Sequence, residues 1–280
     1  MMSIVQHLKK DKLAMIGTII IFFLAVVAIL APHITPYDAI ELDLENRLSS
    51  PDGHHLMGTD VLGRDVLSRV IYGARISLSM ATVVVVIVML LGIAMGTTAG
   101  YFGGIIDGII MRVVDVLLAF PNIILALVIA GILGPSLTNV MIALGAIWWV
   151  SYARIIRGSV LSVKEKEFVE AARAMGCSDA YIAIRHILPN VLSPVIVLAT
   201  LDMGHIILSI AALSFLGLGA QPPIPEWGTM LNEGRSFMET APHLMIFPGL
   251  MIMITVLAFN FLGDGLRDAL DPRMKEVMVK

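Results

Sequence analysis

Asp202 and His205 stand three residues apart in an otherwise apolar stretch, Val195–Phe215, with Gly204 between them. On a helix that spacing puts carboxylate and imidazole on one face. Ionisable groups at membrane depth are costly and mark function by default. A carboxylate oxygen with a neutral imidazole nitrogen is a reasonable transient ligand pair for a borderline cation such as Ni²⁺. The same two groups also suit a hydrogen bond that ties one helix to its neighbour. As acid and base of an enzyme they lack a nucleophile motif or a further ligand pair at matching depth. His33, His54, His55 and His243 are further candidate ligands beside or within other segments.

A second group of residues suggests contact rather than chemistry. Segment 153–192 is charged and amphipathic, and its pattern predicts two short helices. The first covers Val163–Met175, with Phe168, Ala171, Ala172 and Met175 on one face and Lys164, Glu165, Lys166 and Glu167 at its start. Gly176 follows as a left-handed stop, where a Cβ would be strained. Ser178 or Asp179 caps a second helix carrying Tyr181, Ile182, Ile184 and Ile187, which Pro189 helps to end. Two small helices with a fixed corner make a rigid protrusion.

The elements that position these groups are membrane helices. With 280 residues, 15% of them charged, and a mean hydropathy of +0.89, the chain is too apolar for a water-soluble domain. Six stretches are long enough to cross a hydrocarbon core as helices: Leu13–Ala31, Ser79–Ala99, Val113–Leu133, Leu137–Tyr152, Val195–Phe215 and Leu244–Leu262. Lys9, Lys10, Lys12, Arg112, Arg154, Arg157, Lys164, Lys166, Arg173, Arg185, Arg267, Arg273, Lys275 and Lys280 fall on one side of this arrangement, which predicts cytoplasmic N- and C-termini. Asp107, Arg112 and Asp115 are spaced for ion pairs along the third span. The outer segment ends in a pattern, Asp65–Arg75, that predicts a short amphipathic helix at the membrane surface. The Gly- and Pro-rich run after Gly217 predicts a folded loop, with Trp227 as an interfacial anchor. Neither a basic patch for nucleic acid nor a Gly-x-x-x-x-Gly-Lys-Ser/Thr phosphate loop is present.

Glu170-Ala171-Ala172, then Gly176, then Ile187-Leu188-Pro189 resembles the coupling loop of ATP-binding-cassette (ABC) importer permeases. His55-Leu-Met-Gly-Thr-Asp60, Tyr72-Gly-Ala-Arg75, Ser214-Phe-Leu-Gly-Leu-Gly219 and Leu270-Asp-Pro272 extend the likeness to the C-type permease of the peptide/nickel family. The resemblance implies an all-α type I importer fold with six transmembrane helices. Its parts are an anchoring region 1–32, an extracytoplasmic segment 33–78, a five-helix core 79–265 containing loops 153–192 and 217–243, and a tail 266–280. It further implies a second permease subunit, two ATPase subunits that bind ATP and Mg, an extracytoplasmic solute-binding protein and a prokaryotic inner membrane. Glu170, Ala171, Ala172, Arg173, Gly176, Leu188 and Pro189 become the ATPase-coupling residues, with no cofactor bound by this chain. Ala199-Thr-Leu-Asp-Met-Gly-His205 resembles the family's nickel permeases, which favours nickel, free or chelated, as cargo through Asp202 and His205; di- and oligopeptides are the alternative.

Overall fold

The computed structural model describes residues 11–270. Lys9, Lys10, Arg273, Lys275, Lys280 and the Asp271-Pro272 end of the C-terminal motif lie outside the described residues. Nine α-helices are formed among those described: α1 (Lys12–Ile34), α2 (Val66–Phe102), α3 (Gly104–Leu118), α4 (Asn122–Leu133), α5 (Leu137–Lys164), α6 (Glu167–Ala174), α7 (Asp179–Phe215), α8 (Trp227–Gly234) and α9 (His243–Leu270). α1, α2, α5, α7 and α9 are each long and apolar enough to cross a membrane.

The expected third span is broken. Instead of one helix over Val113–Leu133, α3 and α4 meet at a 90° bend. Pro121 has no N–H to continue the ladder and disfavours helical backbone at Phe120 before it, so the chain turns there. Asp107 and Asp115 do not pair along α3 either. Asp107 pairs with Arg157 and Asp115 with Arg154, both on α5, and Arg112 is exposed.

α2 and α5 form the central seam. Gly92, Gly96 and Gly100 recur every fourth residue on α2, facing Tyr152, Ala153, Ile156 and Val160 of α5. A Cβ on Gly92 would come within 2.2 Å of the Tyr152 Cβ, and one on Gly96 within 2.6 Å of the Ala153 carbonyl oxygen. Lipid offers no hydrophobic drive for helix pairing, so small residues supply close dispersion contact instead. α1 docks on α9 by the same device, with Gly17 against the Ala258 carbonyl.

Several helices run further than their apolar stretches. α2 begins at Val66, so the expected surface helix is the first part of the second span itself. α5 continues to Lys164 and α7 starts at Asp179, which shortens the connection between them to residues 165–178. Pro189 does not end a helix: a π-helical turn at Ala183–Ile187 widens the backbone just before it, and α7 continues unbroken through Pro189 to Phe215.

The bundle has two ends. One carries the connection α1–α2 and the segment with α8; the Tyr37 amide bonds to Ser68 Oγ there, at 3.1 Å. The other carries the α5–α7 connection, beside the C-terminal turn of α2. We call these the loop end and the helix-pair end.

Candidate functional site

At the helix-pair end, α6 is amphipathic over barely two turns. Val169 and Ala172 are buried; Glu170, Ala171, Arg173 and Ala174 face outward. Gly176 follows with φ of +80°, and an added Cβ would meet nothing within 4 Å. The glycine is needed there for backbone conformation, not for space. Ser178 then caps α7, accepting from the Tyr181 amide at 3.4 Å, and Ile182 and Ile187 are buried beneath.

Two polar bonds brace the protrusion against α2. The Tyr101 hydroxyl bonds to Asp179 Oδ1 at 2.6 Å, and Lys164 Nζ donates to the Tyr101 carbonyl at 2.8 Å. What remains uncovered is apolar: Phe168, Tyr181, Ile184 and Met175, the last 76% exposed, rimmed by Glu170, Arg173 and Arg185. Of the seven residues expected to act here, Glu170, Ala171, Arg173 and Gly176 lie on the outer surface. Ala172 packs inward and Leu188 is half-buried. Pro189 is exposed beyond the π turn.

Asp202 and His205 meet midway along α7, as their spacing predicts, with Nδ1 and Oδ1 3.4 Å apart. Asp202 is largely buried, whereas the His205 side chain is 66% exposed. Gly204 between them packs against Val256 and Asn260 of α9. Behind the carboxylate stands Tyr152 of α5, fully buried, its hydroxyl directed at Asp202 without completing a hydrogen bond of good geometry. The sequence reading missed Tyr152, since nothing local marks a tyrosine 50 residues upstream as a neighbour.

The other candidate histidines do not join this pair. His33 and His54 are exposed, His55 bonds to Asp65 at 2.9 Å, and His243 is buried with Nε2 3.2 Å from the Thr59 carbonyl. Among the described residues no three His, Cys, Asp or Glu side chains gather as metal ligands.

The loop end holds buried charge. Arg64 and Arg69, each 1% exposed, share Glu233 Oε2 at 2.9 Å from both, and Arg64 Nε also bonds to Asp60 at 2.6 Å. Arg64 and Ser68 of the pattern that suggested a surface helix are therefore turned inward, where Asp60 and the α8 residue Glu233 meet Arg64, while Arg75 stays exposed. Trp227, expected as an interfacial anchor, is fully buried; its indole donates to the Val70 carbonyl at 3.0 Å. Glu226 caps α8, accepting from the Gly228 and Thr229 amides at 3.0 and 2.9 Å, and binds Ser77 of α2.

Comparison with known proteins matches residues 89–276 to the binding-protein-dependent transport system inner membrane component family, and residues 2–51 to the N-terminal TM domain of oligopeptide transport permease C. The dipeptide transport system permease protein DppC of Alkalihalophilus pseudofirmus is 49% identical over 96% of this chain and 89% of its own length. The glutathione transport system permease protein GsiD of Escherichia coli is 48% identical over the same shares. Among solved structures, an inward-facing form of the MetNI methionine ABC transporter aligns with a TM-score of 0.58 at 19% identity, covering 73% of this chain and 98% of that one. An amino acid ABC transporter with histidines aligns at 0.55, covering 71% and 92%. At such identity these two establish the fold, the type I importer permease architecture.

Proposed function

The chain belongs to the binding-protein-dependent inner membrane component family and is a permease subunit of an ABC importer; on that premise we propose that its cargo is a short peptide. It is not itself an ATPase, and nucleotide binds separate subunits of the complex. The observation that carries the peptide reading is near-half identity, along almost the whole chain, to permeases named for dipeptides and glutathione. Nickel has less support: the pair that favoured it offers two ligands, one largely buried, and no third nearby.

We assign the helix-pair end to the cytoplasm and the loop end to the outer side, following the distribution of Lys and Arg. On this reading the patch of Phe168, Met175, Tyr181 and Ile184 docks on an ATPase subunit, with Glu170, Arg173 and Arg185 at the rim. α6 is joined to α5 by residues 165 and 166, and to α7 through the Gly176 corner. A displacement of the docked pair is therefore passed directly to two spans. ATP-driven closure of the ATPases favours one orientation of those spans over the other, and the bundle changes the side to which its pathway opens. A second permease completes the pathway, and a solute-binding protein delivers cargo at the loop end.

The test is uptake of a radiolabelled dipeptide and of radioactive nickel by cells that carry the complete transporter and no other route for either. Dipeptide uptake without nickel uptake is expected; the reverse pattern would return the cargo to a transition metal.

A further inference from the structure

Among the described residues Asp202 has no Lys or Arg as an ion-pair partner. Between Asn190 and Phe215 it is the one Asp, Glu, Lys or Arg on α7. None occurs in α1 beyond Lys12, in α2 beyond Arg75, in α4, in α5 up to Tyr152, or in α9 up to Leu262. Its polar neighbours are the Tyr152 hydroxyl on one side and the His205 imidazole on the other. A charged group at this depth carries a large desolvation cost, and among the described residues no Lys or Arg forms an ion pair with Asp202.

The pair also lies between two clefts on the surface of the bundle. One face of α7 carries Pro194, Leu201, His205 and Leu208 in helical register. A cleft of about 700 Å³ opens toward the helix-pair end of that face, lined in part by Asn190, Ser193, Leu201 and Arg267. Another of about 600 Å³ opens toward the loop end, lined in part by Leu208, Phe215 and Leu257 and almost wholly apolar. Between Leu201 and Leu208, the residues that line one cleft and the other, stands the exposed His205 ring beside Asp202.

We propose that Asp202, flanked by His205 and with Tyr152 behind it, is a transient site for the primary ammonium group of the transported peptide. The proposal rests on the peptide reading above. A zwitterionic peptide carries the one charge that this carboxylate lacks, and an N–H⁺ to carboxylate bond is among the stronger hydrogen bonds. His205 is the replaceable partner: with its exposed ring it can swing aside as the ammonium arrives, while the largely buried carboxylate stays in place.

The experiment uses the complete transporter in proteoliposomes and compares uptake of labelled alanyl-phenylalanine with its N-acetylated form, for wild-type and Asp202→Asn permease. Loss of a charge-assisted contact is expected to lower uptake of the free-amino peptide about tenfold, while uptake of the acetylated one is unchanged. A ratio of the two rates that Asp202→Asn leaves unaltered overturns the proposal but not peptide import. If neither form enters with the wild-type permease, the peptide reading itself fails. Asp202→Asn permease that no longer co-purifies with the second permease is followed by Tyr152→Phe, which removes a single buried oxygen. Lowered selectivity for the free amino group in that variant sustains the site, and unchanged selectivity assigns Asp202 to subunit assembly.

Discussion

The two ends of the bundle use charge in opposite ways. At the loop end, Arg64 and Arg69 are buried and paired with Asp60 and Glu233, and Trp227 and Glu226 are enclosed. Nearly every polar group is satisfied within the chain, so this end is a closed structure that holds α2, α8 and α9 in register. At the helix-pair end, Glu170, Arg173 and Arg185 are exposed around uncovered apolar side chains, and the protrusion is held by two braces and four buried residues. On the proposed reading an ATPase subunit covers this surface. The difference separates substitutions that should unfold the permease from those that should uncouple it.

That separation can be broken by measuring thermal stability and dipeptide uptake together. Glu233→Ala leaves two buried guanidinium groups to share Asp60 and should cost about 3–5 kcal/mol, seen as a large fall in the melting temperature in detergent. Gly176→Ala places a Cβ at φ of +80° and should cost about 1–2 kcal/mol, confined to the corner, with uptake falling more than melting temperature. Tyr101→Phe removes the hydrogen bond to Asp179 and should cost about 0.5–1.5 kcal/mol, with slower uptake at normal expression. Glu170→Lys, on the outer face, should move stability by no more than about 0.5 kcal/mol and yet abolish ATP-driven uptake. A Glu170→Lys permease that melts early or transports normally would erase the contrast between the ends.

Much of this architecture is legible in local sequence. Apolar run length fixes where helices cross, because in lipid each backbone must satisfy itself. The Asp202–His205 contact follows from a three-residue interval alone. The Gly92–Gly96–Gly100 interval is a local signal for a close helix seam that the reading of the sequence passed over, and it does not say which helix lies against it. What misled was amphipathicity near Arg64 and Ser68: a polar stripe beside an apolar one reads as a surface helix only if the polar side faces water. Its true partner, Glu233, lies more than 160 residues away, beyond any periodic signal.

Composition and spacing therefore determined where most of the membrane spans lie, the short helix of Glu170 with its Gly176 corner and the presence of a carboxylate inside a span, since each depends on backbone geometry over a few residues. Tertiary structure alone decided the rest. It buried Arg64, Arg69 and Trp227, bent the third span at Pro121, carried α7 straight through Pro189 and set Tyr152 behind Asp202. Each of these turns on which distant surface satisfies a charge, a hydroxyl or a broken hydrogen-bond ladder, and that is settled when the helices pack.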